Sequence, residues 1–244
     1  MKNIALPPDI KMEWHSQLDS TNLCLLQREA QEGLLVVADE QVAGRGRLGR
    51  TWQSLSGMNL YFSFALRPSQ SARMWGTLPL TVGVGVAEAL ISMGFSPGLK
   101  WPNDVFLDRK KVGGILLEAK DALVVAGVGL NVNQQKFPGL SEATSLSLAA
   151  GKPLNRQQIL ETTVNCVWSW YCRWRVDGPR EMLQQWRKYD VLLGREVTVD
   201  IQGRVVSGMA VDIAPDGCLK LRDASGQEIL VSSGDATLKP FVRA

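Results

Sequence analysis

A change of periodicity near Asp190 constrains this chain more than any other feature. Upstream, stretches with apolar residues at every second position alternate with stretches at helical spacing; downstream, only short β-type runs separated by glycine turns remain. Met12, Trp14, Ser16 and Leu18 alternate with Glu13, His15, Gln17 and Asp19, the period of a half-buried strand. Asp19, Ser20, Thr21 and Asn22 offer N-cap oxygens to a short helix carrying Leu23, Leu26 and Ala30, which Gly33 closes. Leu34–Ala38 is an apolar strand, and 59–67 is another, with Leu60, Phe62, Phe64 and Leu66 on one face and Pro68 ending it. Residues 75–93 space Leu78, Val82, Val86 and Leu90 as a helix, in which Gly83 and Gly85 permit close packing against a sheet. Short strands are predicted at 100–101, 105–108, 111–118 and 123–132, with a hairpin at Arg109 and Lys110, then helices at 155–174 and 179–189, the second with Pro179 at its first position. This order predicts an α+β domain over residues 1–190, a sheet covered by helices. The runs at 197–201, 205–213, 218–222 and 229–232 predict a small β-barrel over 191–244. A module of that size is marginal by itself, so it is expected to dock on the larger domain.

Charge and cysteine usage narrow the function classes. Lys and Arg total 27 against 24 Asp and Glu, and a net +3 is too small to imply nucleic-acid or membrane binding by itself. The basic excess lies upstream of 191, where Arg45, Arg47 and Arg50 cluster. Cys24, Cys166, Cys172 and Cys218 form no C-x-x-C pair and no zinc-like spacing with His15, which fits free thiols in a reducing compartment. The longest apolar stretch, 78–95, is interrupted by Pro79, Gly83, Gly85 and Glu88, and the N-terminus has no charged-then-apolar leader; a soluble, cytoplasmic protein is expected.

Four segments carry the chemistry. The loop 44–50 sets three guanidinium groups among three glycines with no carboxylate inside it, so its arms repel one another until an anion arrives. Phosphate suits it, because glycine lets the backbone approach oxygen atoms and arginine binds them in a bidentate fork. Read alone, an R-G-R sequence serves equally as a solvated basic loop or an RNA contact. In Lys100-Trp101-Pro102-Asn103-Asp104, proline fixes a turn that leaves Asn103 and Asp104 at its mouth, where one carboxylate can share a Mg²⁺ with water and nucleotide phosphate; the same triplet also makes an ordinary turn. Lys111 opens an otherwise apolar strand beside Gly113 and Gly114, so its ammonium needs an anionic partner unless it reaches water at the strand edge. The glycines leave room for a flat ligand, and Gly127 and Gly129 can similarly bring backbone close to a nucleotide.

The runs GRGRLGRTW (44–52), KWPND (100–104), KVGGILLE (111–118) and GVGLNVN (127–133), preceded by DSTN (19–22), resemble the biotin protein ligases in wording, order and spacing over nearly the whole chain. The resemblance implies a mixed sheet flanked by helices, like that of class II aminoacyl-tRNA synthetases, and a C-terminal SH3-like barrel. It implies two reactions: biotin attacks the α-phosphate of ATP to give biotinyl-5′-AMP and pyrophosphate, then a lysine of a biotin carboxyl carrier protein or similar acceptor domain takes the acyl group. Ser20, Thr21 and Asn22 would hydrogen-bond the ureido ring, with Gln41 and Gly44 along its rim. Arg45, Gly46 and Arg47 would line the acyl phosphate, with Gly114 beside the biotin. Lys111 would bind the carboxylate and α-phosphate oxygens, making it and Arg47 the catalytic candidates. Arg45, Arg47, Arg50, Trp52 and Asn131 would contact the nucleotide, though core packing competes for Trp52, and Asp104 would hold Mg²⁺. The arginine loop is expected to fold over the adenylate. Some relatives carry a DNA-binding helix-turn-helix domain first; so few residues precede Trp14 that catalysis without DNA binding is expected, and a homodimer is compatible with the sequence. Lipoate ligases are the nearest alternative, but their double arginine followed by a glycine run is absent. A nucleic-acid-binding module is a further alternative, disfavoured by weak net charge and scarce aromatics near the loop.

Overall fold

A computed structural model of the chain describes residues 4–238. Seven strands form one mixed sheet: β1 (Lys11–His15), β2 (Leu34–Ala38), β3 (Leu60–Leu66), β4 (Pro97–Lys100), β5 (Asp104–Leu107), β6 (Lys110–Lys120) and β7 (Leu123–Leu130). Their order is β1-β2-β3-β7-β6-β5-β4, with β1 and β2 parallel and every other pair antiparallel. The helices are α1 (Thr21–Leu26), α2 (Leu78–Ser92), α3 (Leu146–Ala150), α4 (Arg156–Asp177) and α5 (Arg180–Tyr189).

The period of two in β3 assigns its side chains to opposite faces, and here both faces are buried. Leu60, Phe62, Phe64 and Leu66 meet α2, α4 and α5 in the main core, whereas Ala65 joins Val36, Val125 and Leu25 of α1 in a smaller cluster on the other side. That second face carries the polar residues Ser63, Thr21 and Asn22, all buried. Helix α2 is apolar on most of its surface because most of it is covered, only its last turn reaching solvent. Its two glycines divide their work. Gly83 faces Ile115 and Leu99 of the sheet and Trp186 of α5, as expected, but Gly85 faces α4, where a Cβ would lie 2.6 Å from Val167 Cα.

Several local expectations shift. Strand β1 stops at His15, and α1 ends at Leu26 with Gln27 as its C-cap, well short of Gly33; Gly33 instead turns the chain into β2 at φ +84°. Ser20 is the N-cap residue of α1 but makes no side-chain cap bond, while Asn155 caps α4 by accepting from the Gln157 and Gln158 amides. Pro179 sits one position earlier than expected, at the N-cap of α5. The β5–β6 hairpin pairs Leu107 with Lys110, so its two-residue turn is Asp108-Arg109, both at positive φ, the turn whose twist matches the strands. Helix α3, five residues, and the last strand of the second sheet, four residues, are too short to impose a readable period on the sequence.

That second sheet contains β8 (Glu196–Ile201), β9 (Arg204–Ile213), β10 (Leu219–Arg222), β11 (Glu228–Val231) and β12 (Asp235–Leu238), ordered β11-β10-β9-β8-β12 and antiparallel throughout. Among the described residues β11 and β12 do not pair, so the ladder is an open antiparallel sheet and not the closed barrel expected. It docks as expected. Val197, Val199, Ala210, Ile213, Leu219 and Leu221 belong to the same continuous core as the large sheet. Polar clasps complete the junction: Trp101 Nε1 donates to Gly217 O at 2.9 Å, and Arg187 of α5 grips Asp212 of β9 at 2.6 Å.

Candidate active site

A cavity of about 430 Å³ opens on the α1 face of the large sheet. Its walls are the start of α1, the arginine loop, the segment 137–143 and the edge residue Asp235 of the second sheet; its floor is Gly114 of β6 and Gly127 and Gly129 of β7. The glycines are needed because side chains lie directly on them. A Cβ at 129 would fall 2.4 Å from Trp52 Cε2, one at 114 would fall 3.0 Å from Trp52 Cζ3, and one at 127 would fall 2.1 Å from Asn22 Oδ1. The flat group received by Gly114 is thus the chain's own Trp52 indole. Gly113 faces away from it, toward Val105 and Leu130. Trp52 Nε1 is buried without a hydrogen-bond partner.

One end of the cavity is neutral and densely hydrogen-bonded. Gln41 Oε1 accepts from the Thr21 amide at 2.9 Å and from its hydroxyl at 3.1 Å. Ser63 Oγ lies 2.7 Å from Thr21 Oγ1 and 2.6 Å from Asn22 Oδ1. Asn22 Nδ2 donates to Leu116 O at 3.2 Å and to Glu118 Oε2 at 2.9 Å. Gln41 Nε2 donates to Ser54 Oγ, which in turn donates to Trp52 O, so this network reaches the arginine loop. Gly44 is required at the join: a Cβ there would stand 2.4 Å from Trp52 O.

The other end is ionic. Lys111 Nζ sits 2.6 Å from Asp104 Oδ1 and 5.6 Å from the Trp52 ring centroid. Arg45 pairs with Glu118 Oε1 at 3.0 Å, and Arg50 pairs with Asp235. Arg47 donates to Asn103 Oδ1 at 3.2 Å and Gly234 O at 3.3 Å, while Asn103 Nδ2 donates to Ile115 O. Burial pushes the Arg47 guanidinium below its usual value, against the pull of Asp235 and Asp104, and burial likewise lowers the nearby Lys100 ammonium. The loop is curled by bonds from the Gly46 amide to Arg50 O and from the Arg50 amide to Arg47 O. At its tip the exposed Leu48 holds φ +55°, a left-handed conformation that costs a non-glycine residue about 1 kcal/mol or more. Asn131, 6% exposed, lines the cavity and donates to Thr144 O.

Ser20, Thr21, Asn22, Gln41, Trp52, Asp104, Lys111, Gly114, Asn131 and the arginines of the loop all line this one cavity, with Gly44 at its margin and Gly113 turned away, and two readings are revised. The arginine arms are not without counter-carboxylates: Glu118 and Asp235 reach them from other elements. The partner that Lys111 needs is Asp104, so the proposed metal carboxylate already faces a cation. Ser63, Asn103, Glu118 and Asp235 were missed as site residues. Glu118 closes the KVGGILLE run and Asn103 lies within KWPND, so both had a local signal; Ser63 and Asp235 had none.

Residues 14–135 match the biotin/lipoate A/B protein ligase family, and residues 192–239 match the biotin protein ligase C-terminal domain. The solved biotin protein ligase of Aquifex aeolicus in complex with biotin and ATP superposes with a TM-score of 0.86 at 32% identity, over 93% of this chain and 99% of that one. Among curated relatives, the biotin–[acetyl-CoA-carboxylase] ligase of Mycobacterium tuberculosis is 35% identical over 90% of this chain and 86% of its own length. The bifunctional ligase/repressor BirA of Bacillus subtilis is 33% identical over 90% of this chain and 72% of its own. The chain therefore belongs to the biotin/lipoate A/B protein ligase family, and its fold is that of the biotin protein ligases.

Proposed function

We propose that this chain is an ATP-dependent biotin protein ligase, and the observation that carries the reading is the division of the cavity into a neutral hydrogen-bonding end and a cationic end. A cyclic urea offers N–H donors and a carbonyl acceptor, which the Thr21 hydroxyl and the Gln41 side-chain amide on the cavity wall can meet. The dithiolane of lipoate offers no hydrogen bonds to match this polar end. At the far end, Lys111, Arg45, Arg47 and Arg50 face the place where a ligand carboxylate and the phosphates of ATP would meet.

In the first step a carboxylate oxygen of biotin forms a bond to the α-phosphorus, and the bond to pyrophosphate breaks. Lys111 balances the charge gathering on the phosphoryl oxygens, and the walls align the two reactants, so no enzyme nucleophile is required. In the second step the ε-amine of an acceptor lysine, on a carrier domain such as the biotin carboxyl carrier protein, bonds to the acyl carbon and AMP leaves. The curled arginine loop, tied to Asn103 and Gly234, excludes water from the mixed anhydride between the steps.

Mg²⁺ fits the donor set in a limited way. Asp104 directs a buried carboxylate oxygen at a cation, at present the Lys111 ammonium, and Asp235 adds a second carboxylate on the cavity wall. One or two carboxylates are what this ion uses when water and phosphate oxygens complete its shell. Bound with the nucleotide, it would neutralise the triphosphate.

We also propose an SH3-like arrangement for residues 191–244 against a synthetase-like catalytic unit of residues 1–190, and a cytoplasmic location. The four free cysteines suit the latter. ATP–pyrophosphate exchange measured with biotin, with lipoate and without acid tests the assignment. Exchange confined to biotin supports it, and exchange with lipoate alone overturns it.

A further inference from the structure

Glu118 does not line the cavity, yet its two carboxylate oxygens hold two residues that do. Oε2 accepts from Asn22 Nδ2 at 2.9 Å, and Oε1 pairs with Arg45 at 3.0 Å. The carboxylate is 20% exposed and Asn22 is 3% exposed, so water competes weakly at the first bond and more freely at the second, where Arg45 is 46% exposed. Glu118 lies on β6, seven residues from Lys111, and β6 pairs along its length with rigid, buried β7.

The first bond decides how Asn22 presents itself. Its Nδ2 meets two acceptors, Leu116 O and Glu118, and its Oδ1 meets the Ser63 hydroxyl; reversing the amide would set oxygen against two acceptors. Ser63 has one proton and two neighbouring acceptors, Asn22 Oδ1 and Thr21 Oγ1. Once Asn22 Oδ1 is fixed toward it, that proton goes to Asn22. Thr21 Oγ1 then keeps its lone pairs and faces the cavity as an acceptor, the polarity that a ligand N–H requires. The second bond decides where Arg45 waits. Arg45 pairs across the loop with Thr51, so restraining its side chain restrains the loop base.

We propose that Glu118 is a positioning residue that sets the hydrogen-bond polarity at the head-group end of the site and, through the same carboxylate, tethers the arginine loop. The inference rests on the biotin ligase reading for what the head group is, but not for the tether. The two functions separate in two variants. In Glu118→Gln the amide oxygen still accepts from Asn22, while the amide N–H₂ confronts Arg45; in Glu118→Ala both bonds are lost.

The experiment combines ATP–pyrophosphate exchange with limited trypsin digestion of the full-length, ligand-free protein, scoring cleavage after Arg45, Arg47 and Arg50. The expected result is loop cleavage about fivefold or more faster in both variants than in wild type. The biotin KM should rise about tenfold in Glu118→Ala and stay within about twofold of wild type in Glu118→Gln. Equal cleavage in all three proteins overturns the tether. Equal biotin KM values in Glu118→Ala and wild type, or equal rises in the two variants, overturn the polarity role. Wild-type exchange with an acid other than biotin overturns the proposed substrate while leaving the digestion result to decide the tether.

Discussion

A Cβ on residue 129 would lie 2.4 Å from Cε2 of Trp52, so the indole rests where only glycine leaves room. Two segments 77 positions apart are thereby fitted to each other: a loop tryptophan and a strand position with no side chain.

Gly129→Ala is expected to push Trp52 off the floor, because the three nearest atoms all belong to its rigid ring. Overpacking of this kind costs about 1–3 kcal/mol. Biotin-dependent exchange should fall at least about tenfold, since Lys111 lies over the same ring. The double variant Gly129→Ala/Trp52→Ala should recover most of the lost thermal stability without recovering exchange; if the two single losses simply add, the contact is not the cause.

Removing Lys111 should separate catalysis from stability. Lys111→Met leaves Asp104, 18% exposed, without its cation, and exchange is expected to drop by about two orders of magnitude or more, as when a preorganised charge is withdrawn from a transition state. Adding Asp104→Asn should restore the melting temperature toward wild type while exchange stays low. Wild-type exchange in Lys111→Met would remove the lysine from the mechanism.

Arg47→Gly deletes the links from the loop to Asn103 and Gly234 and should loosen the cover over the adenylate. Release of radiolabelled biotinyl-AMP is expected to accelerate about tenfold or more. Equal retention by variant and wild type would sink the idea of a water-excluding loop.

The clasp between α5 and β9 should be acid-labile. Burial is the largest single influence on the Asp212 carboxyl and raises it, but hydrogen bonds from Arg187 and the Ile213 amide, with the charges of Arg187 and Lys220, together outweigh it and set the group below the usual carboxylate value. A depressed carboxyl contributes stability above its unfolded value of about 3.9 and loses it as pH falls through the folded one. Both partners are more than one third exposed, so the contribution is under about 1 kcal/mol. Asp212→Asn should melt at most about 3 °C below wild type at pH 7. The gap should close as pH falls below the ordinary carboxylate value, and a gap unchanged with pH would refute the ion-pair origin.

Much of the fold was legible because burial imposes its period on the chain: Leu60, Phe62, Phe64 and Leu66 announce β3, and Val82, Val86 and Leu90 announce α2. Where one polar turn resembles another, the sequence was less exact. The register of the Asp108-Arg109 turn and the early end of α1 are fixed by backbone conformation that local composition does not encode.

The site divides in the same way. Short-range signals marked Arg45, Arg47, Arg50, Asp104, Lys111 and the β7 glycines as candidates, because clustered charges and glycines advertise an anion and a close approach, while the conjunction of the segments chose that reading over solvated loops and ordinary turns. Tertiary structure alone decided their partners. Ser63 and Asp235 look like ordinary strand residues, and the run that ends in Glu118 does not say what it binds, until the sheet brings Asn22 within 2.9 Å of Glu118 and the second sheet brings Asp235 to Arg50. Charge type is written locally, but which charge neutralises which is a matter of distance, and distance between remote segments is set only when the whole core has packed.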